Sequence, residues 1–224
     1  MAGSQTGAAR SATGLLVRSM GVVAGFAGLE HGVFEILQGS GRPDGMVIEA
    51  IGPAQRIWVY GSEPAITIIP DFLVTGILAV IAGLLVIVWS ATQMHRPRSP
   101  LVLGLLTVAM LFVGGGIAPI GYAVMPIIVA AWIHRHPRPA RPRSPAARRF
   151  FSSMWPWALF VFLLLSVLAI EIAVFGWPLV GPFGADATLA ILNWLGYITF
   201  FGLGPLAILA AFARDVHDSG NIPD

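Results

Sequence analysis

The chain has 224 residues, of which 56% are hydrophobic and 11% charged, whereas an average soluble domain has about 25% charged residues. This composition excludes an ordinary soluble domain and predicts an integral membrane protein. The formal net charge is +2, and all 13 basic residues are Arg; most flank apolar runs, where the positive-inside rule accounts for them, so nucleic acid is not an expected partner. With no cysteine, disulfides, a thiolate nucleophile and Cys-ligated metals are excluded.

The chain begins with a small, polar segment, residues 1–13, which we expect to be disordered and cytoplasmic. Crossing a hydrocarbon core takes about 20 apolar residues. Four runs meet this length: 14–38, 71–93, 155–177 and 187–212. The first holds Arg18 and acidic residues and has no clear cleavage site, so it is expected to be a retained membrane helix and not a signal peptide.

A fifth apolar run, residues 101–133, needs a different structure. Its 33 residues would make a helix about 50 Å long, which exceeds the bilayer. Glycine and proline concentrate in the stretch GGGIAPIG, where Gly114, Gly115, Gly116 and Pro119 favour a turn. The run is therefore predicted to be a hairpin of two short helices, either two thin crossings or a re-entrant pair.

Charge supports the hairpin and sets the orientation. Basic segments lie on both sides of the run, at 94–100 and 134–149, and a single crossing would place them on opposite faces of the membrane. With the hairpin both are cytoplasmic, as are the N-terminus and the tail 214–224. The predicted fold class is thus all-α: a polytopic membrane helix bundle over 14–213, with four full transmembrane helices plus a short-helix hairpin. It has five to six membrane segments and both termini inside, and the expected location is a bacterial cytoplasmic membrane.

The outer face has one long connection, residues 39–70. Within it, MVIEAI (46–51) and RIWVYG (56–61) have the composition of strands and could pair as a small hairpin over the helices; an irregular loop is the alternative. Pro70 and Asp71 are predicted to form the first turn of the following helix.

Glycines form a stripe on the first helix. Gly21, Gly25, Gly28 and Gly32 fall on one narrow face, which is typical of close packing against another helix.

The same stripe leads to ionisable residues, which are rare in membrane helices and usually face protein. His31 and Glu35 are one turn apart and should share an edge, whereas Glu30 lies on roughly the opposite side of the helix from that edge and needs another neighbour. Residues on other predicted helices reach a comparable depth: Glu171, Asn193 and Tyr197. We therefore predict a polar chamber in the outer half of the membrane, lined by all six residues and capped by the loop that contains Glu63.

Other interpretations of these residues remain open. His31 and Glu35 could form a structural hydrogen-bonded pair, or Glu35 could lie among lipid head groups. A metal site is less favoured, because H-x3-E supplies two ligands and the other histidines are predicted to be cytoplasmic. Haem ligation by His31 would need a partner that nothing suggests, and no hydrolase motif is present. The sequence indicates no cofactor and no catalytic residue.

The glycine-rich turn has two interpretations. Broken helices near the middle of a bilayer often line a substrate path, yet glycines also simply allow two short helices to reverse. The turn contains no charged residue, so Tyr122 and backbone groups would have to select any solute that passed it.

The basic segment 134–149 has four prolines and is predicted to be extended, with a topogenic role and with anionic lipid head groups as partners of Arg135–Arg149. Three functions remain in consideration. Small-solute or proton-linked transport through the chamber, by a homo-oligomer, is favoured because several acids gather at one depth. The alternatives are a non-enzymatic accessory or sensing subunit and, third, an intramembrane enzyme.

Overall fold

The computed structural model describes residues 11–135 and 144–219, which are predominantly helical. The elements in chain order are α1 Ala12–Leu37, β1 Val47–Glu49, β2 Pro64–Ile66, α2 Phe72–Gln93, α3 Ser99–Phe112, α4 Ala118–Arg135, α5 Pro145–Phe175, the single turn α6 Val180–Phe183, α7 Ala185–Tyr197, a π-helical turn Ile198–Leu203, and α8 Gly204–Ser219.

Five of the helical segments are long and apolar enough to cross a membrane. They are α1, α2, α4, α5 and the continuous segment Ala185–Ser219, while α3 is shorter. The chain is therefore a helical membrane protein, as its composition predicted. The second arm of the hairpin, α4, was expected to be a short helix, but its 18 residues are long enough to span by themselves.

Several helices begin earlier or end later than the apolar runs indicated. Ser11 caps α1, so residues 11–13 are ordered and not part of a disordered segment; residues 1–10 lie outside the described ranges. Ser144 caps α5, whose first turns include residues 145–149, so this part of the basic segment is helical and not extended. Both helices therefore begin within polar segments, because the side chains of Ser11 and Ser144 accept hydrogen bonds from N–H groups in the first helical turn.

The same holds at the other end of the chain. α8 continues to Ser219, so residues 214–219 of the predicted cytoplasmic tail are helical, and residues 220–224 are not described.

Helices α1 and α2 form the closest pair in the bundle. A Cβ atom on Gly25 would meet the backbone of Gly83, and one on Gly32 would meet the backbone of Gly76. Gly21 lies against Ser90 of α2, whereas Gly28 lies against Met110 of α3. Small residues on both helices thus allow the two backbones to approach closely.

The hairpin of α3 and α4 breaks where glycine is concentrated, at residues 113–117. Much of its backbone is hydrogen-bonded. The N–H of Gly114 donates to the carbonyl of Ile66 (2.9 Å), and the N–H of Ile68 donates to the carbonyl of Phe112 (3.0 Å). The break therefore lies against β2 of the outer connection and not isolated at mid-membrane, which satisfies groups that lipid would leave without partners.

The outer connection contains a two-stranded antiparallel ladder, but its pairing differs from the prediction. β1 lies within MVIEAI, whereas its partner is β2, with Ile48 opposite Ala65. RIWVYG is irregular. Trp58 explains the difference, because its buried indole N–H donates to the carbonyl of Ala173 at the end of α5 (3.0 Å) and holds this segment on the helices.

The second helix also starts differently from the prediction. Asp71 is the N-cap of α2 and its carboxylate accepts from the N–H of Val74, so Pro70 precedes the helix and is not in its first turn.

The first and last helices are joined at one end of the bundle. Asp215 of α8 accepts hydrogen bonds from the N–H of Ala12 (2.6 Å), the N–H of Thr13 (3.1 Å) and the hydroxyl of Thr13. The beginning of α1 and the end of α8 consequently lie side by side.

Candidate outer cavity

A cavity of about 480 Å³ lies between α1, α4, α5 and α7 with its π-helical turn. Four of the six residues predicted to form a polar chamber line it: Glu30, His31, Asn193 and Tyr197. Glu63, predicted to cap the chamber, and Tyr122 line it as well. We call this space the outer cavity.

The polar part of the outer cavity comes from α1 and the outer connection. His31 Nε2 and Glu63 Oε2 are 2.9 Å apart. Glu30 is half-buried, and its Oε2 is enclosed without a hydrogen-bond partner among the residues that the structure describes. Its carboxyl interacts electrostatically with those of Glu171 and Glu63. Three carboxyl groups therefore lie near one another in this part of the molecule.

Glu30 was expected to point away from the edge occupied by His31 and Glu35. Instead Glu30 and His31 line the same cavity. Consecutive residues on a helix are only about 100° apart, and the cavity is wide enough for both side chains to border it.

Aromatic side chains form the opposite wall. The rings of Tyr122 and Phe200 have centroids 4.6 Å apart, and those of Tyr197 and Phe201 are 6.3 Å apart. Phe200 and Phe201 belong to the π-helical turn, which the sequence did not predict. Phe201 is 78% exposed and Tyr197 is 59% exposed, so this wall borders the outside of the chain.

Glu35 and Glu171 are not in the lining of the outer cavity, so the six residues do not form one compartment. Glu35 is fully buried against the backbone of Gly114. Neither of its carboxyl oxygens has a hydrogen-bond partner among the described residues. Glu35 does share an edge of α1 with His31, but the break of the hairpin packs on it and it does not line the cavity.

The break surrounds both polar residues on this edge. Gly114 and Gly116 have positive φ angles, +93° and +81°, and a Cβ atom on them would collide with the Glu35 carboxyl and the His31 ring respectively. From the sequence, the glycine-rich turn and the polar residues of α1 were interpreted as separate features. The contact joins residues that are far apart in the sequence. The only local feature that pointed to it was the run of three glycines that contains Gly114 and Gly116.

The outer connection is tied to the helices around the cavity. The hydroxyl of Tyr60 donates to Asp186 at the start of α7 (2.6 Å). This hydrogen bond, together with the negative charge of Asp186, raises the pKa of Tyr60 above its ordinary value. With Trp58 held at the end of α5, the connection covers the outer end of the cavity.

A second cavity, of about 590 Å³, lies at the other end of the bundle between α2 and α3. Its lining is basic and includes His95, Arg96 and Arg98, next to Trp89. Within residues 11–135 and 144–219 no three His, Asp or Glu side chains are placed to hold a metal ion.

No protein-family model, curated protein or solved structure matches this chain.

Proposed function

We propose that this membrane protein transports a small solute through the outer cavity and that the movement is linked to a proton. One observation carries the proposal: a cavity of about 480 Å³ between membrane-spanning helices is lined by Glu30, His31 and Glu63. Ionisable side chains are costly in a membrane and, where they occur, commonly mark the path of an ion or substrate.

The acid next to the cavity supports proton linkage. Glu35 is fully buried and neither oxygen has a partner in the described part of the chain. A negative charge in that position would have no compensation, so a proton or a solvent molecule must accompany it. His31 lies one turn away on the same helix and lines the cavity, so an imidazole, which can exchange protons, lies near both the cavity and Glu35.

The proposed orientation places the cavity on the outside. Both termini and the basic segments are cytoplasmic, which leaves Arg42 and Arg56 as the Arg residues on the outer face. The contact between Asp215 and the start of α1 supports this arrangement, because it requires the two ends to lie on one side.

Transport requires the inner half of the bundle to rearrange. Along α1, no charged residue lies between Arg18 and Glu30, so no polar path continues inward on this helix. Two helical irregularities lie in the elements that form the cavity: Pro126 within α4 and the π-helical turn 198–203. Helices bend at such positions, and we infer that they permit the movement.

The accessory-subunit alternative receives less support. It needs a glycine stripe free to contact a partner, whereas Gly25 and Gly32 already pack on α2 of the same chain. It also needs a polar cluster whose members are satisfied, and Glu35 has no partner within the described ranges. A homo-oligomer as the transporting form, and anionic lipid head groups at Arg135–Arg149, remain proposals; residues 136–143 of that segment are not described.

Proton flux into lipid vesicles tests the proposal. Purified protein would be reconstituted with an internal pH-sensitive dye, and a potassium diffusion potential would be imposed with an ionophore. We expect wild-type vesicles to acidify when the inside is negative. Glu30→Gln and Glu35→Gln should slow the flux by about tenfold or more, since each removes a group that holds the proton.

Asp44→Asn is the matched control, because Asp44 is an exposed carboxylate of the outer connection and is not part of the cavity lining. It should behave as wild type. Equal flux in empty and protein-containing vesicles, with a pH gradient applied in either direction, would contradict a proton path through the outer cavity.

A further inference from the structure

The charge of the outer cavity indicates what kind of solute it accepts. Two carboxyl groups, Glu30 and Glu63, belong to its lining, and Glu171 lies near enough to Glu30 to interact with it electrostatically. Among the described lining residues there is no Arg, and His31 is the one basic side chain. An anion would meet this wall unfavourably, whereas a cation would be attracted to it.

Polar atoms in the wall are left without partners. His31 is 6% exposed, lines the cavity and has no partner on Nδ1; Glu30 Oε2 is enclosed and is likewise unpaired within the described residues. Buried polar atoms in native structures are nearly always hydrogen-bonded. The carboxyl oxygen of Glu30 and the ring nitrogen of His31 therefore have unused hydrogen-bonding capacity beside the cavity, which a bound ligand or water would satisfy if either side chain turned toward it.

Apart from Asn193, the rest of the lining is apolar or aromatic. Tyr122 and Phe200 stack with their ring centroids 4.6 Å apart, and Tyr197 and Phe201 continue this wall outward. Aromatic rings attract cations through their faces and pack against hydrocarbon. A small hydrated metal ion would gain little from such a wall, whereas an organic cation with an apolar body would contact both halves of the cavity.

Access to the cavity is from the side of the bundle. α7 packs on α5, and of its residues Thr188 alone is buried. Phe201, at the rim, is 78% exposed, and Asn193 is exposed as well. The aromatic wall therefore separates the cavity from the surrounding bilayer by the thickness of a single, loosely packed helix, which suits a solute that partitions into the membrane first.

From these observations we propose that the solute is an amphiphilic organic monocation, which enters the outer cavity from the bilayer, places its charge at Glu30 and Glu63, and packs its apolar body on Tyr122 and Phe200. The inference rests on the proposed function, since it names the solute of that same site.

Binding of two hydrophobic ions of matched shape and opposite charge tests the inference. Tetraphenylphosphonium and tetraphenylborate would be equilibrated with the protein in lipid nanodiscs, with empty nanodiscs to subtract partitioning into lipid. We expect saturable binding of the cation alone. Glu30→Gln should weaken it by about tenfold or more, the size of one lost charge-assisted contact, whereas Glu30→Asp should keep the preference for the cation.

Asp44→Asn serves as the control of equal charge change at an exposed site and should bind as wild type. If Glu30→Gln does not fold, Glu63→Gln takes its place with the same expectation. Non-saturable uptake of the cation by wild-type protein, or saturable uptake of both ions alike, would overturn the inference.

Proton flux separates this inference from the proposed function. Saturable cation binding without proton movement would uphold the solute class and remove the proton linkage. Proton movement that depends on Glu30 in a protein that does not bind the cation would overturn the solute class and leave transport standing.

Discussion

Two glycines set the environment of the polar residues on α1. Gly114 and Gly116 combine a left-handed backbone with the absence of a side chain, and the two requirements are independent. The first reflects the reversal of the chain between α3 and α4. The second reflects the space occupied by Glu35 and His31. A residue with a Cβ atom at either position would therefore have to displace a polar side chain as well as strain the backbone.

Alanine substitution at Gly114 should separate these two effects. Gly114→Ala is expected to destabilise the protein by more than about 2 kcal/mol, because the backbone strain of about 1 kcal/mol adds to a collision with the Glu35 carboxyl. Gly39→Ala is the matched control: Gly39 has a similar φ of +75° and nothing within 4 Å of a Cβ atom, so strain alone applies. Thermal unfolding followed by the fluorescence of the seven tryptophans gives both values.

A double substitution tests the cause of the larger effect. In a Glu35→Ala background the additional penalty of Gly114→Ala should shrink toward that of Gly39→Ala, since the colliding carboxyl is gone. The same loss of stability in both backgrounds would show that contact with Glu35 is not what requires glycine.

At the scale of elements, the start of α1 depends on a residue from the other end of the chain. The first N–H groups of a helix have no partners within it, and Asp215 accepts from those of Ala12 and Thr13 while also binding the Thr13 hydroxyl. A negative carboxylate at a helix N-terminus also interacts favourably with the helix dipole. α8 is thereby fixed to α1 by polar contacts as well as by the buried apolar cluster that contains Ala12 and Ala211.

Removal of this cap should release the beginning of α1. Asp215→Ala is expected to lower the free energy of unfolding by about 2 kcal/mol and to speed amide hydrogen exchange in the first turn of α1. Asp218→Ala is the control, because Asp218 forms an exposed pair with Arg214 on the same helix, and such pairs contribute little. Equal effects of the two substitutions on the melting temperature would contradict a capping role for Asp215.

The elements show which features of the sequence are informative. Apolar length and glycine content predicted α1, α2 and the break between α3 and α4, because membrane-spanning helices and reversals follow from local composition. The partner of β1 and the position of Glu35 could not be predicted in this way. Both depend on contacts between distant parts of the chain, through Trp58 at the end of α5 and through Gly114 against α1.

The same difference between local and long-range information applies to the candidate site. Depth along a helix follows from residue number, and Glu30, His31, Asn193 and Tyr197, which the sequence placed at one depth, line one cavity. Which side chains face a common space depends on how the helices pack, and this separated Glu35 from the others. The aromatic wall depends on the π-helical turn that contains Phe200 and Phe201. Its i→i+5 hydrogen bonds enclose one residue more than an α-helical turn and so change the direction in which these side chains point.

For the whole molecule, the proposed function requires a defined orientation in the membrane. If residues 101–133 cross twice, the chain makes an even number of crossings and its two ends lie on one side. If they crossed once, the end of α8 would lie on the side opposite to the start of α1. The hydrogen bonds from Ala12 and Thr13 to Asp215 place the start of α1 beside the end of α8, which favours two crossings or a re-entrant pair over a single crossing.

Labelling of single cysteines tests this arrangement in a chain that has no cysteine of its own. Asp44→Cys, in the outer connection, should react with a membrane-impermeant maleimide added to intact cells. Ser219→Cys, at the end of α8, should react only after the membrane is permeabilised, as should Arg98→Cys between α2 and α3. All three positions are exposed. Reaction of both Asp44→Cys and Ser219→Cys in intact cells would place the end of α8 on the outer face, and it would contradict an even number of crossings.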